Sequence, residues 1–175
     1  MTEETEPADH YHTEYLDLGD KDYERISAMV RQTFPKSCIC WIERVHNPKL
    51  WAAYQALGDT IGNEQLMFHG TSEECVKQIA QHGFDPAKNK TSAYGRGTYF
   101  ASAASYSFNY MKDGTEGVAF MFLCRVRVGR VCKGSPGLRI DTKAYDSAGG
   151  PGIIVTPHAA AAFPEYIISF HKHAK

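Results

Sequence analysis

Three short stretches of this chain hold residue types that can do chemistry together. The first is Phe68-His69-Gly70-Thr71-Ser72, where a histidine and a glycine follow the apolar run Leu66-Met67-Phe68. An imidazole can donate or accept a hydrogen bond near neutral pH, and a glycine lets a ligand approach the main chain closely. Thr71 through Glu74 fit a T-x-x-E capping box, which predicts a helix N-terminus there. The partial positive charge of such a terminus suits an anionic or amide ligand. The second stretch is Tyr94-Gly95-Arg96-Gly97-Thr98-Tyr99-Phe100-Ala101. Its Gly-x-Gly lacks a third glycine and leads into a strand, so it fails as a dinucleotide or phosphate-loop signature. The third, Ala104 to Tyr110, places Tyr106, Ser107 and Tyr110 at a helix start. Taken singly, each has a plain packing explanation: a strand-end histidine bonded to a neighbour, and Tyr99, Tyr106 and Tyr110 as core aromatics.

These residues matter only if strands and helices bring them to one place. Tyr23, Ile26, Met29, Val30 and Phe34 recur at helical spacing after Asp20 and stop before Pro35. Residues 37–45 alternate as a strand, and Asn47-Pro48 opens a short helix carrying Leu50, Trp51, Tyr54 and Leu57. Val76, Ile79 and Ala80 form a helical stripe stopped by Gly83. Residues 85–96 read as a loop, 98–101 as a strand and 101–111 as a helix start. The strongest strand is 117–128, apolar on both sides at first, which predicts a central position. A Gly/Pro-rich connection over 129–151 precedes two further strands, in 152–156 and 166–170. The run of alanines at 159–162 predicts a plain turn or short helix. Strands outnumber helices and few crossovers are long, so the fold class is α+β with a mostly antiparallel sheet.

Composition bounds what such a domain can be. The 175 residues suffice for one domain, with residues 1–13 as a flexible acidic leader and 14–175 as the folded unit. The net charge of −1 and pI near 6.7 argue against a dedicated nucleic-acid or polybasic membrane binder. Apolar runs fall far short of the roughly 20 residues a bilayer span needs, and the acidic start is unlike a secretory signal. A cytoplasmic or nuclear location follows as the expectation. The five cysteines, at 38, 40, 75, 124 and 132, show no zinc-site spacing and are expected as reduced, mostly buried thiols.

The three stretches in this order resemble the catalytic domain of poly(ADP-ribose) polymerase-type ADP-ribosyltransferases, whose fold is shared with diphtheria toxin. Residues 41–51, 120–129, Tyr145-Asp146-Ser147 and 164–170 are similar to that family as well. The likeness covers about 14–175 and is strongest to the mono-ADP-ribosylating branch. It implies an α+β ADP-ribosyltransferase fold of mostly antiparallel split β-sheets flanked by short helices, with NAD⁺ as co-substrate and no metal. By the same resemblance His69 holds the adenosine ribose, Gly70 and Ser107 clamp the nicotinamide carboxamide, and Tyr99 and Tyr110 enclose the nicotinamide ring. Thr71 reaches the adenine-side ribose. The partner implied is a protein acceptor, possibly the chain itself. No DNA dependence and a monomer are expected.

Polymerases of the family carry a glutamate at a third catalytic position. Glu165 invites that assignment, but in the mono-transferase branch the position lies thirteen residues before the tyrosine of P-E-Y. Counting from Tyr166 gives Ile153, hence a His69–Tyr99–Ile153 triad, with Glu165 read as a solvated edge residue. An isoleucine can neither accept a proton nor polarise a hydroxyl, so the resemblance implies single ADP-ribose transfer rather than polymer synthesis. A silent NAD-binding scaffold and an NAD⁺ glycohydrolase are the alternative readings.

Overall fold

The computed structural model describes residues 10–90, 92–109, 111–112 and 114–171, and the structural statements below concern those residues. Nine strands, β1 (His12–Tyr15), β2 (Ile39–His46), β3 (Glu64–Thr71), β4 (Thr98–Ala101), β5 (Val118–Arg127), β6 (Val131–Lys133), β7 (Ser147–Gly150), β8 (Ile153–Thr156) and β9 (Ala162–His171), form one sheet. Their spatial order is β1-β2-β9-β5-β3-β4-β8-β7-β6. Every neighbouring pair is antiparallel except β6 with β7. Four helices accompany it: α1 (Lys21–Thr33), α2 (Pro48–Leu57), α3 (Glu73–His82) and α4 (Ala104–Phe108).

The doubly apolar pattern of β5 explains its place between β9 and β3. Ala119, Met121 and Leu123 face one core, shared with Ile26 and Val30 of α1, while Phe120, Phe122, Cys124 and Val126 face another, shared with Ala80 of α3 and Phe84. Alternation along a strand thus supplies both layers at once. The helices start where side chains can cap them. Asp20 accepts a hydrogen bond from the Asp22 amide at 2.7 Å, and Asn47 accepts one from the Leu50 amide at 3.1 Å. The Asn47 amide also donates to the carbonyls of Ala80 and Gln81, tying the start of α2 to the end of α3.

Four expectations change. The capping box does not form: Thr71 remains in the β3 ladder opposite Phe120, so Ser72 is the N-cap of α3 and makes no side-chain cap bond. Glu73 instead accepts hydrogen bonds from the backbone and hydroxyl of Thr115. Pairing begins at His12, inside the stretch read as leader, where the His12 and His46 rings stack 4.5 Å apart. The 129–151 connection contains β6 and β7, whose three- and four-residue lengths leave no room for a visible period. The helix in 101–111 is the five-residue α4. The alanine run does form a short 3₁₀ turn, Ala159–Ala161.

Candidate active site at a split in the sheet

β3 pairs with β5 over eight consecutive residues, from Glu64 to Thr71. On its other side it meets β4 through one pair only, Phe68 with Ala101. Past Phe68 the two strands part. Backbone groups of His69, Gly70 and Thr71 that point away from β5 therefore lack a strand partner. A cleft of about 600 Å³ occupies the gap, within the size range of small-molecule sites. His69, Gly70 and Thr71 form one wall, Thr98 to Ala101 the other, and α3, the segment from Gly83 to Asn89, Tyr106 and Ser107 close it.

The register explains how the cleft reaches both faces of the sheet. Phe68 and Ala101 are paired and so share a face; His69, the next residue, points to the opposite one with Phe122. There its ring meets Phe84 edge-on at 4.9 Å and Phe100 at 5.5 Å. Nδ1 of His69 lies 2.7 Å from the Tyr99 carbonyl oxygen. A carbonyl only accepts, so Nδ1 carries the proton and bridges the two diverging strands. Burial pushes the imidazole below its ordinary pKa of 6.5, despite the Tyr99 hydrogen bond, which acts the other way. The ring is neutral near pH 7, which leaves Nε2 as an acceptor.

Gly70 and Tyr99 belong to the first face. A Cβ on Gly70 would stand 2.1 Å from the Ser107 carbonyl oxygen, so only glycine admits α4 this close to β3. Ser107 itself is buried, and its hydroxyl makes no hydrogen bond to a described residue. Tyr99 turns its hydroxyl to the main chain: it donates to the Gly95 carbonyl at 2.6 Å and accepts from the Tyr94 amide at 2.9 Å. Asn89 donates to the Gly97 carbonyl at 2.7 Å, fixing the other end of that turn. The cleft wall opposite His69 is thereby held by its own tyrosine.

His69, Gly70, Thr71, Tyr99 and Ser107 thus line one cleft. Ile153 does not line it. On β8, it pairs with Ala101 of β4 and is buried with Ala101, Ala148 and Val155 in a cluster against which Tyr99 and Tyr106 pack. Tyr110 lies outside the described residues. Glu165 is not a solvated edge residue: it sits on β9, inside the sheet, and accepts two hydrogen bonds from Arg125 at 2.8 and 3.1 Å. The cysteines are also more exposed than expected, since only Cys124 is buried while Cys38 and Cys75 are exposed. Cys75 follows the apolar stripe of α3 but faces the cleft. Sequence reading missed Phe84, Phe100 and Asn89. Phe100 sits beside Tyr99 and was legible as a strand residue on the opposite face; nothing local marks Phe84 or Asn89.

The parting of the sheet at His69 and the tyrosine-braced wall opposite define the candidate site. The family model for the poly(ADP-ribose) polymerase catalytic domain matches residues 20–164, and the chain belongs to that family, whose ADP-ribosyltransferases use NAD⁺ as co-substrate. Among curated relatives, it is 32% identical over 177 residues to protein mono-ADP-ribosyltransferase PARP14 of Homo sapiens, covering 88% of this chain and 10% of that protein. It is 32% identical over 181 residues to protein mono-ADP-ribosyltransferase PARP12 of Homo sapiens, covering 91% of this chain and 26% of the relative. With protein mono-ADP-ribosyltransferase PARP11 of Mus musculus the identity is 32% over 190 residues, covering 86% and 57%. The chain therefore spans from a tenth to somewhat over half of the length of these relatives.

Proposed function

We propose that this chain transfers one ADP-ribose unit from NAD⁺ to an acceptor side chain and releases nicotinamide. The observation that carries the reading is the meeting of His69, Gly70, Tyr99 and Ser107 in the cleft where β3 and β4 part. The names of the relatives support single-unit transfer.

The residues present fit NAD⁺. Gly70 lets α4 pack directly on β3, which brings Ser107 into the cleft beside the main-chain groups of Gly70 as the parts of a clamp for a carboxamide. Neutral His69 offers Nε2 to a ribose hydroxyl. The ring of Tyr99, braced through its hydroxyl, presents an apolar wall to a flat ring. Bound this way, NAD⁺ supplies an anomeric carbon whose bond to nicotinamide is broken. The chain's contribution is orientation: clamping the amide while the ribose is held by His69 restricts rotation about that bond and excludes water.

Ile153 gives the reaction its limit. Its side chain has no lone pair, so at the third position that the family resemblance gives it, it activates no hydroxyl for chain growth. An acceptor carboxylate needs no such base, because it is already ionised. Its oxygen forms the bond to the anomeric carbon as the carbon–nitrogen bond breaks, and that electron pair leaves on neutral nicotinamide. Incubation with labelled NAD⁺ tests the reading. Protein-bound label in single units, lost in His69→Ala, is expected; free ADP-ribose without protein-bound label contradicts it.

A further inference from the structure

The two ends of the sheet carry opposite charge. β1 is one edge strand and β6 the other. At the β1 end, residues 10–24 hold five acidic side chains, Glu14, Asp17, Asp20, Asp22 and Glu24, and one lysine, and of these Glu14 and Asp22 pair with Arg44. Residues 88–96 and 130–143 hold seven of the 19 basic side chains and one aspartate. These two basic stretches touch: the Arg96 amide donates to the Leu138 carbonyl, the Gly137 amide donates to the Ser92 carbonyl, each at 2.8 Å, and Tyr94 lies against Gly134 and Gly150. Arg130 is paired with Asp146. Lys90, Arg96, Lys133, Arg139 and Lys143 are exposed and make no ion pair among the described residues. The patch adjoins the cleft, because the Tyr99 hydroxyl holds Tyr94 and Gly95 within it.

Four of the exposed large apolar side chains lie at these two ends. Tyr15, Leu18, Leu66, Val131 and Tyr145 are the large hydrophobic residues left exposed among those described. Tyr15 (67%) and Leu18 (72%) flank the acidic Asp17, while Val131 (43%) and Tyr145 (41%) flank the basic loop. Each edge thus carries an exposed apolar pair and unpaired charges mainly of one sign, Asp17 and Glu24 at one and Lys133, Arg139 and Lys143 at the other, so the two complement each other.

We propose that the β6 edge receives the β1–α1 edge of a second copy of this chain and that acidic residues of that edge, Asp17 and Glu24 foremost, are ADP-ribose acceptors in trans. Both are exposed and free of ion pairs among the described residues. This rests on the transfer activity proposed above. The contact is heterologous, since two different surfaces meet, and long-range attraction makes it weaken with salt.

The test mixes an untagged active copy with a tagged His69→Ala copy that can only accept, in labelled NAD⁺, and maps the label by mass spectrometry. Label on Asp17 or Glu24 of the tagged copy is expected. Lys133→Glu/Arg139→Glu/Lys143→Glu in the active copy should cut that labelling about 10-fold while nicotinamide release is unchanged. Trans labelling that the triple variant leaves intact, or label confined to other residues, overturns the docking. Labelling of an added RNA oligonucleotide, with the tagged copy left unlabelled, overturns it in favour of a nucleic-acid acceptor. No nicotinamide release by the active copy overturns the activity itself. Salt-sensitive association of His69→Ala copies in sedimentation, lost in the triple variant, reads the docking without catalysis.

Discussion

The two sides of β3 behave differently, and the difference accounts for the site. Toward β5 the strand is paired along its whole length, with alternating side chains feeding two buried cores. Toward β4 it keeps one pair, and the next three residues face a cleft. The first side supplies stability, and the second forgoes ladder hydrogen bonds to leave main-chain groups and a neutral imidazole for a ligand. Bracing replaces the missing ladder there: His69 to the Tyr99 carbonyl, and the Tyr99 hydroxyl to Tyr94 and Gly95.

If that division is real, substitutions on the two sides separate stability from activity. Ile168→Ala, on β9 opposite both Ile42 and Met121, removes a fully buried side chain from the continuous side. It should lower unfolding free energy by about 2–5 kcal/mol and leave the affinity of the folded protein for nicotinamide-like inhibitors unchanged, as denaturant melts and titrations would show. Gly70→Ala forces a methyl against the Ser107 carbonyl. It should cost about 1–3 kcal/mol and abolish inhibitor binding; retained binding would break the comparison. Tyr99→Phe removes the hydroxyl that holds the cleft wall. A loss of about 0.5–1.5 kcal/mol with a raised KM for NAD⁺ is expected from kinetics and melts.

The His69 environment adds a pH test. Its pKa is lowered in the folded state, so the unfolded chain binds the proton first as pH falls below 6.5. Stability is greatest above that value and is lost as pH drops through the lower folded pKa. Protonation also turns the Nε2 acceptor into a donor. NAD⁺ affinity should therefore fall as pH drops through that lowered folded pKa, and His69→Gln should flatten that limb of the profile. The smallest effect belongs to Glu165→Gln, which weakens the part-exposed Arg125 pair by about 0.2–1 kcal/mol. Transfer activity should be unaffected, because this pair joins β5 to β9, apart from the cleft.

What could be read from the sequence followed from the same division. β5 announces itself because its first seven residues, Val118 to Cys124, are apolar on both faces, and α1 and α2 because Asp20 and Asn47 precede helical stripes. His69, Gly70, Tyr99 and Ser107 were legible as site candidates because ordered short motifs carry them. The split itself was not legible, since it depends on β4 leaving β3 after one pair, a fact of register rather than composition. Thr71 misled for the same reason: the T-x-x-E pattern is local, and the ladder with β5 overrides it. Glu165 has the residues of a catalytic motif around it, but its carboxylate goes to Arg125, forty residues away in the chain. β6 and β7 are held by long-range bonds such as Arg130 with Asp146, which no local pattern encodes.

The central claim is single-unit transfer from a cleft built on His69 and Gly70. Its most direct measurement is the mass of each modified side chain after reaction with NAD⁺, compared between the native chain and Gly70→Ala. One ADP-ribose unit per modified residue is expected in the native chain and none in the variant. A ladder of polymer, or unchanged modification in Gly70→Ala, would contradict it.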